Sequence, residues 1–196
     1  MDAEPAAAAV LGGVAVLERA IAYLLGSLAM VTPRMLDRPT PCHYWDLHDL
    51  LEHVQDSLTA LQEAVSAGRV SCAPAVDIRG DETIVLEVRD RAVRLLGAWA
   101  NTGGTAPVLV ADAPVTAPLI ASAGAIEVTV HGWDVAEACG RPRPIPDELA
   151  DEVLDLSEQL VRAPDRPGRF APPVRVPADV SPGDRLLAYL GRQPAQ

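Results

Sequence analysis

Residues Ile126 to Ala138 read IEVTVHGWDVAEA, and the way this stretch folds decides the architecture. Its centre, Val128-Thr129-Val130, is β-branched, which on local preference favours a strand. Working outward, the apolar run extends from Leu119 to Cys139, with Ala121, Ala123 and Ala125 on one side, Ala136 and Ala138 on the other, and Gly140 as a stop. That length exceeds an ordinary strand, and alanine is the strongest helix former. A helix over Leu119–Cys139 is therefore expected. On such a helix Glu127 and His131 are four residues apart, on one face and one turn from each other. Two ligands at that spacing can grip one metal ion. A third from a facing helix would complete a set with an open position, the pattern of catalytic zinc.

The facing helix is sought upstream, after the proline-marked loop Asp37–His43 (DRPTPCH). The segment Thr40–Val54 reads TPCHYWDLHDLLEHV. From Asp46 to Ala67, Leu47, Leu50, Leu51, Val54, Leu58, Leu61 and Val65 form one apolar stripe. Asp46 suits the N-cap, Asp49 the positive end of the helix dipole, and Gly68 the stop. His53 lies on the core side of this helix. His48, five residues earlier, falls off that face and is expected toward solvent. Spacing by itself does not choose between a His53/Glu127/His131 metal site and a structural role. A Glu four residues before a His is usually a surface pair, and a His on an apolar stripe is usually a hydrogen-bonded core residue.

Further elements follow the same logic. A first helix is predicted over Leu11–Met35, with Val14, Leu17, Ile21, Leu24, Leu25 and Leu28 at helical spacing and Pro33 near its end. Val70–Gly80 reads as loop. A third helix is predicted over Asp81–Ala100, ended by Asn101–Gly104, and the proline-rich stretch Ala106–Pro118 has room for a short strand at VLVA. A fifth helix opens at Pro146 or Asp147 and runs to Val161. A tail rich in Pro, Arg and Gly (Ala163–Pro177) is expected to wrap the surface, and a last short helix covers Pro182–Leu190. The predicted fold is all-α: an antiparallel four-helix bundle with additional short C-terminal helices and an extended Pro-rich tail. The expected division is 1–162 for the bundle and 163–196 for the extension packed on it.

Composition limits the function. The chain has 196 residues, 49% hydrophobic, 4% aromatic and 22% charged, enough to bury a core without disulfides. The net charge is −11, and all 16 basic residues are arginine. Such a chain is a poor partner for nucleic acid or an anionic membrane surface. Cys42, Cys72 and Cys139 form neither a disulfide framework nor a CxxC metal signature, which fits a reducing cytoplasm. Asp2 and Glu4 stand where a signal peptide needs positive charge.

Three segments carry a resemblance. Thr40–Val54, Glu127–Gly140 (EVTVHGWDVAEACG) and the ending RFAPPVRVPADVSPGDRLLAYLGRQP are similar, in that order, to segments of the DinB-like metal-binding superfamily. The nearest likeness is to its actinobacterial single-domain branch related to mycothiol-dependent maleylpyruvate isomerase. The resemblance implies a four-helix bundle holding a divalent metal, zinc or nickel. Its three ligands fall on His53, Glu127 and His131, the residues that spacing had singled out. It also implies mycothiol as a cosubstrate. Maleylpyruvate isomerase carries a sizeable further C-terminal domain, whereas only about 30 residues follow the fifth helix here, so the resemblance does not carry over that substrate.

Other residues have secondary roles to weigh. Asp134 could orient a ligand or make a structural hydrogen bond. Trp133 suits packing better than substrate stacking. Cys42 precedes a helix N-terminus, a place where thiols become reactive, although a buried inert thiol is the simpler role. His43 and Tyr44 could border a pocket. Arg79, Arg89 and Arg94 could pair with an anionic substrate, but a solvated face is the default. The expected function is a metal-dependent enzyme using a low-molecular-weight thiol for S-transfer or isomerisation of a small electrophile. A thiol-independent hydrolase, lyase or cyclase of a natural-product pathway and a non-catalytic binding bundle are the alternatives. A cytoplasmic monomer or homodimer is expected.

Overall fold

The computed structural model describes residues 3–71, 83–100, 107–166 and 168–194. Among them run helices α1 (Ala3–Leu28), α2 (Leu47–Ala67), α3 (Ile84–Ala100), α4 (Ala117–Ala138), α5 (Asp147–Leu160) and α6 (Pro182–Tyr189), with short strands β1 (Arg69–Val70), β2 (Val108–Val110) and β3 (Ala113–Val115). None of these helices is long and apolar enough to cross a membrane.

The stripe on α2 does what its spacing predicts: Leu47, Leu50, Leu51, Val54, Leu58 and Leu61 are buried. Each fully buried side chain of this kind contributes about 1.5–3 kcal/mol. Asp46 accepts from the Asp49 amide while the Asp49 carboxylate accepts from the Asp46 amide, a reciprocal cap that fixes where the helix begins. Gly68 ends it in the left-handed conformation.

α4 packs on α1, α2 and α5, while α3 packs on α2 and α1. The bundle therefore has the cyclic order α1–α4–α2–α3, and α4 is covered on three sides. Helix wins over the strand preference of Val128–Val130 because burial on all sides rewards any close-packed helix, and small residues let its neighbours approach. A Cβ added at Gly132 would come within 3.0 Å of the Tyr23 ring on α1, and one at Gly124 within 2.6 Å of Leu61 on α2. The C-terminus of α4 is closed by Arg38, which donates to the carbonyls of Ala138 and Cys139.

The first helix differs from expectation. α1 stops at Leu28 and only a single 3₁₀ turn, Pro33–Met35, follows. The apolar pattern continues through Met30 and Val31, but Pro33 forces Thr32 into extended backbone (ψ 154°) and breaks the helix. The VLVA strand is present as β2. It pairs antiparallel with β3 and parallel with β1, a strand that the predicted loop Val70–Gly80 does not foresee. Residues 72–80 of that loop, the predicted start of α3 at Asp81 and its predicted stop at Asn101–Gly104 lie outside the described residues. α6 packs on α5, and Val174 in the preceding tail donates to the Ala188 carbonyl.

Candidate metal centre

Glu127 and His131 project from α4 one turn apart, and His53 meets them from α2. The Glu127 Oε1 lies 2.5 Å from His53 Nε2 and 3.2 Å from His131 Nε2. The two imidazoles are edge to face, with ring centres 4.9 Å apart. One donor atom from each residue falls within 4.8 Å of the other two. Two imidazole nitrogens and a carboxylate oxygen are a donor set that suits zinc or nickel. The helical separations that sequence singled out are thus brought to one point.

The other face of His131 decides its tautomer. Its Nδ1 lies 2.9 Å from Asp134 Oδ2, one turn further along α4. Asp134 is fully buried, and Arg192, just beyond α6, donates to it through NH2 (2.8 Å to Oδ2) and Nε (3.3 Å to Oδ1). Burial alone would raise the Asp134 pKa; the hydrogen bond from His131 and the charge of Arg192 outweigh it and hold the carboxyl below its usual range. An ionised Asp134 keeps a proton on Nδ1 and leaves Nε2 as the ligand atom facing Glu127. For His131, burial pushes the pKa down, but the bonds to Asp134, Cys42 and Glu127 carry it well above the ordinary value. Burial likewise works against Glu127, whose contacts with His131 and His53 depress it.

The loop before α2 builds the rim. Thr40 ties it together: its hydroxyl accepts from the Cys42 amide and donates to the Trp45 carbonyl, and the Trp45 amide closes a turn on Cys42. Tyr44 therefore sits at φ 74° and is 95% exposed at the mouth of the cavity, edge to face with His43. Trp45 lies over the centre, 4.9 Å from the His53 ring. Cys42 is less buried than the simpler expectation had it. It is half-buried in the cavity wall, with Sγ 3.2 Å from Asp134 Oδ2 and 3.3 Å from Arg192 NH2. Cys42, His131 and Asp134 also bring ligand atoms together, but the Asp134 carboxylate is already engaged by Arg192 and by His131 Nδ1. The His53/Glu127/His131 set is the one that opens into the cavity.

That cavity measures about 990 Å³. α2 and α4 supply its floor, the Cys42–Trp45 loop one side, and the tail around Phe170 and Arg192 another. Trp133 is buried in the core cluster and packs, as expected. His48 is half-buried beside Glu52 rather than facing solvent. Arg89 and Arg94 are exposed on α3, and Arg79 lies outside the described residues. Sequence reasoning missed Arg192 and Trp45. The one available signal for Arg192 was the richness of the C-terminal segment in arginine.

Comparison with known proteins identifies the family. Residues 17–136 match the family described as the mycothiol maleylpyruvate isomerase N-terminal domain, a span containing all three converging residues. An uncharacterised protein of Mycobacterium tuberculosis strain H37Rv is 31% identical over 170 residues, covering 84% of this chain and 89% of that one. An uncharacterised protein of strain CDC 1551 matches to the same extent. No solved structure matches the chain. With the helical bundle and these matches together, the chain belongs to the mycothiol maleylpyruvate isomerase N-terminal domain family.

Proposed function

We propose that the protein is a divalent-metal-dependent enzyme that activates a low-molecular-weight thiol, mycothiol or a close analogue, for S-transfer to or isomerisation of a small electrophile. The observation that carries this is the convergence of His53 Nε2, Glu127 Oε1 and His131 Nε2 at the floor of the large cavity. A zinc or nickel ion held by these three residues would supply a Lewis acid that makes a thiol nucleophilic near neutral pH. Asp134 and Arg192 fix the His131 ring and keep its Nε2 aimed at the centre. The Trp45 ring lies 4.9 Å from the His53 ring and forms part of the cavity wall. The cavity leaves room for two reactants side by side, which a one-substrate hydrolase does not need. The family's name supports the choice of thiol.

The test is rate against thiol. Zinc-loaded protein is given 1-chloro-2,4-dinitrobenzene, a chromogenic electrophile, with and without mycothiol. Thiol consumption should accelerate over the protein-free rate, and Glu127→Gln should remove the acceleration. Protein that leaves the thiol reaction at its protein-free rate, across this and maleylpyruvate as electrophiles, would overturn the thiol role and favour a hydrolase or lyase on the same centre.

A further inference from the structure

A second cavity, of about 370 Å³, also has Glu127 in its wall. Ala60 and Leu61 of α2, Gly124 of α4, and Val70, Val110 and Val115 of the small sheet form much of the rest. Among the described residues lining it, Glu127 is the one ionisable group. Ala123 and Glu127 line both cavities, so the apolar chamber adjoins the polar one at the candidate metal centre.

The sheet gives this chamber a purpose that the bundle alone does not explain. Val70 is the register partner of Val110, and Val115 of Val108. Paired residues and residues two apart share a face, so four valines present one apolar surface. At Gly124 the helix has no side chain, and Leu61 lies against the bare backbone. The walls are almost wholly apolar, so an apolar group laid against them is removed from water while a polar one finds few partners there. The Glu127 carboxylate points to the centre rather than serving this hollow, its Oε1 bonded to His53 and His131.

We propose that this chamber holds the hydrocarbon part of the substrate whose reactive end lies at His53, Glu127 and His131. The substrate class is then an amphipathic electrophile, with a short polar reactive head on an aliphatic or aromatic body. This rests on the function proposed above, and it assigns the two cavities separate tasks: the larger takes the thiol and the substrate's reactive head, the smaller the apolar body.

The experiment uses two probe series on the full chain. Metal-free protein is titrated with 1-butanol, 1-hexanol and 1-octanol. Zinc-loaded protein is titrated with butanoyl, hexanoyl and octanoyl hydroxamate. Methyl NMR signals of Leu61, Val70, Val110 and Val115 are followed. Saturable shifts at these methyls are expected in both series, with affinity rising roughly fourfold per added methylene until the chamber is full. Ala60→Phe, which fills the chamber, should flatten the chain-length dependence while zinc uptake and methyl dispersion stay as in the wild type. Alkanols that do not saturate these signals, or that shift other methyls instead, would overturn the proposal. So would hydroxamates that bind with one affinity at every length. A chain that takes up no zinc would sink the metal reading, and the alkanol series would still decide the chamber in either direction.

Discussion

α2 and α4 have nearly the same length, 21 and 22 residues, and both feed the same centre, yet they are built on opposite terms. α2 is one-sided: a leucine stripe faces the core, polar residues face out, and a reciprocal cap and a glycine mark its ends. α4 is buried from Ala121 to Ala138 apart from Ala123, Glu127 and Glu137, so its sequence shows no stripe. A helix in that position cannot leave polar groups to water. Its charged side chains must find partners inside the protein, and they do: His131 pairs with Asp134, and Asp134 with Arg192. The contrast teaches that the polar residues of a fully buried helix are the ones worth reading as chemistry.

The comparison is broken most severely by removing the cation that lets α4 carry a buried carboxylate. Arg192→Met should cost about 3–5 kcal/mol in urea unfolding of the metal-free protein, whereas Asp56→Ala on the exposed face of α2 should stay within about 0.5 kcal/mol. A loss under 1 kcal/mol for Arg192→Met would mean that the Asp134 network adds little. Next in size, Asp134→Asn should weaken zinc binding roughly 10–100-fold, measured by competition with a chelator. His48→Gln, on α2 but away from the centre, should leave it unchanged.

The pH dependence sharpens the same contrast. In the metal-free protein the folded pKa of His131 is raised, so its stabilisation is complete below about 6.5 and is lost as pH rises through the folded value. The depressed carboxyls of Glu127 and Asp134 stabilise above about 4 and lose that contribution as pH falls. Melting temperature should therefore decline on the alkaline side, while protection by zinc grows over the same rise, because His131 sheds a proton to bind. A metal-free melting temperature that stays flat from about pH 6 to 9 would contradict the His131 assignment.

The smallest effects oppose one another in sign. Thr129 Oγ1, buried in α4, has no hydrogen-bond partner among the described residues, so Thr129→Val should raise stability by up to about 1 kcal/mol. Asp46→Ala, which removes the cap of α2, should lower it by about 1 kcal/mol. Both are read from chemical denaturation midpoints at unchanged slope.

Sequence alone specified α2 almost to the residue, because Asp46, the leucine stripe and Gly68 are local signals. α4 was legible through its length and alanine flanks, since local preference for Val128–Val130 pointed to a strand. The Glu127–His131 pair was legible because one turn of helix fixes it, and His53 because it interrupts an apolar stripe. What escaped depends on distant partners. β1 is a strand only because β2 arrives alongside it. Arg192 reaches Asp134 from the last turn of the chain's fold, where no periodicity announces it. Met30 and Val31 extended the pattern of α1 past the point where Pro33 forbids the helix.

The most direct test is the metal content of protein purified without a metal-affinity tag, by mass spectrometry, beside His53→Ala and His131→Ala. We predict close to one zinc or nickel per wild-type chain and loss of it in both variants, with helical content retained. A wild-type chain that stays metal-free after incubation with zinc and with nickel would contradict the assignment of His53, Glu127 and His131 as a metal centre.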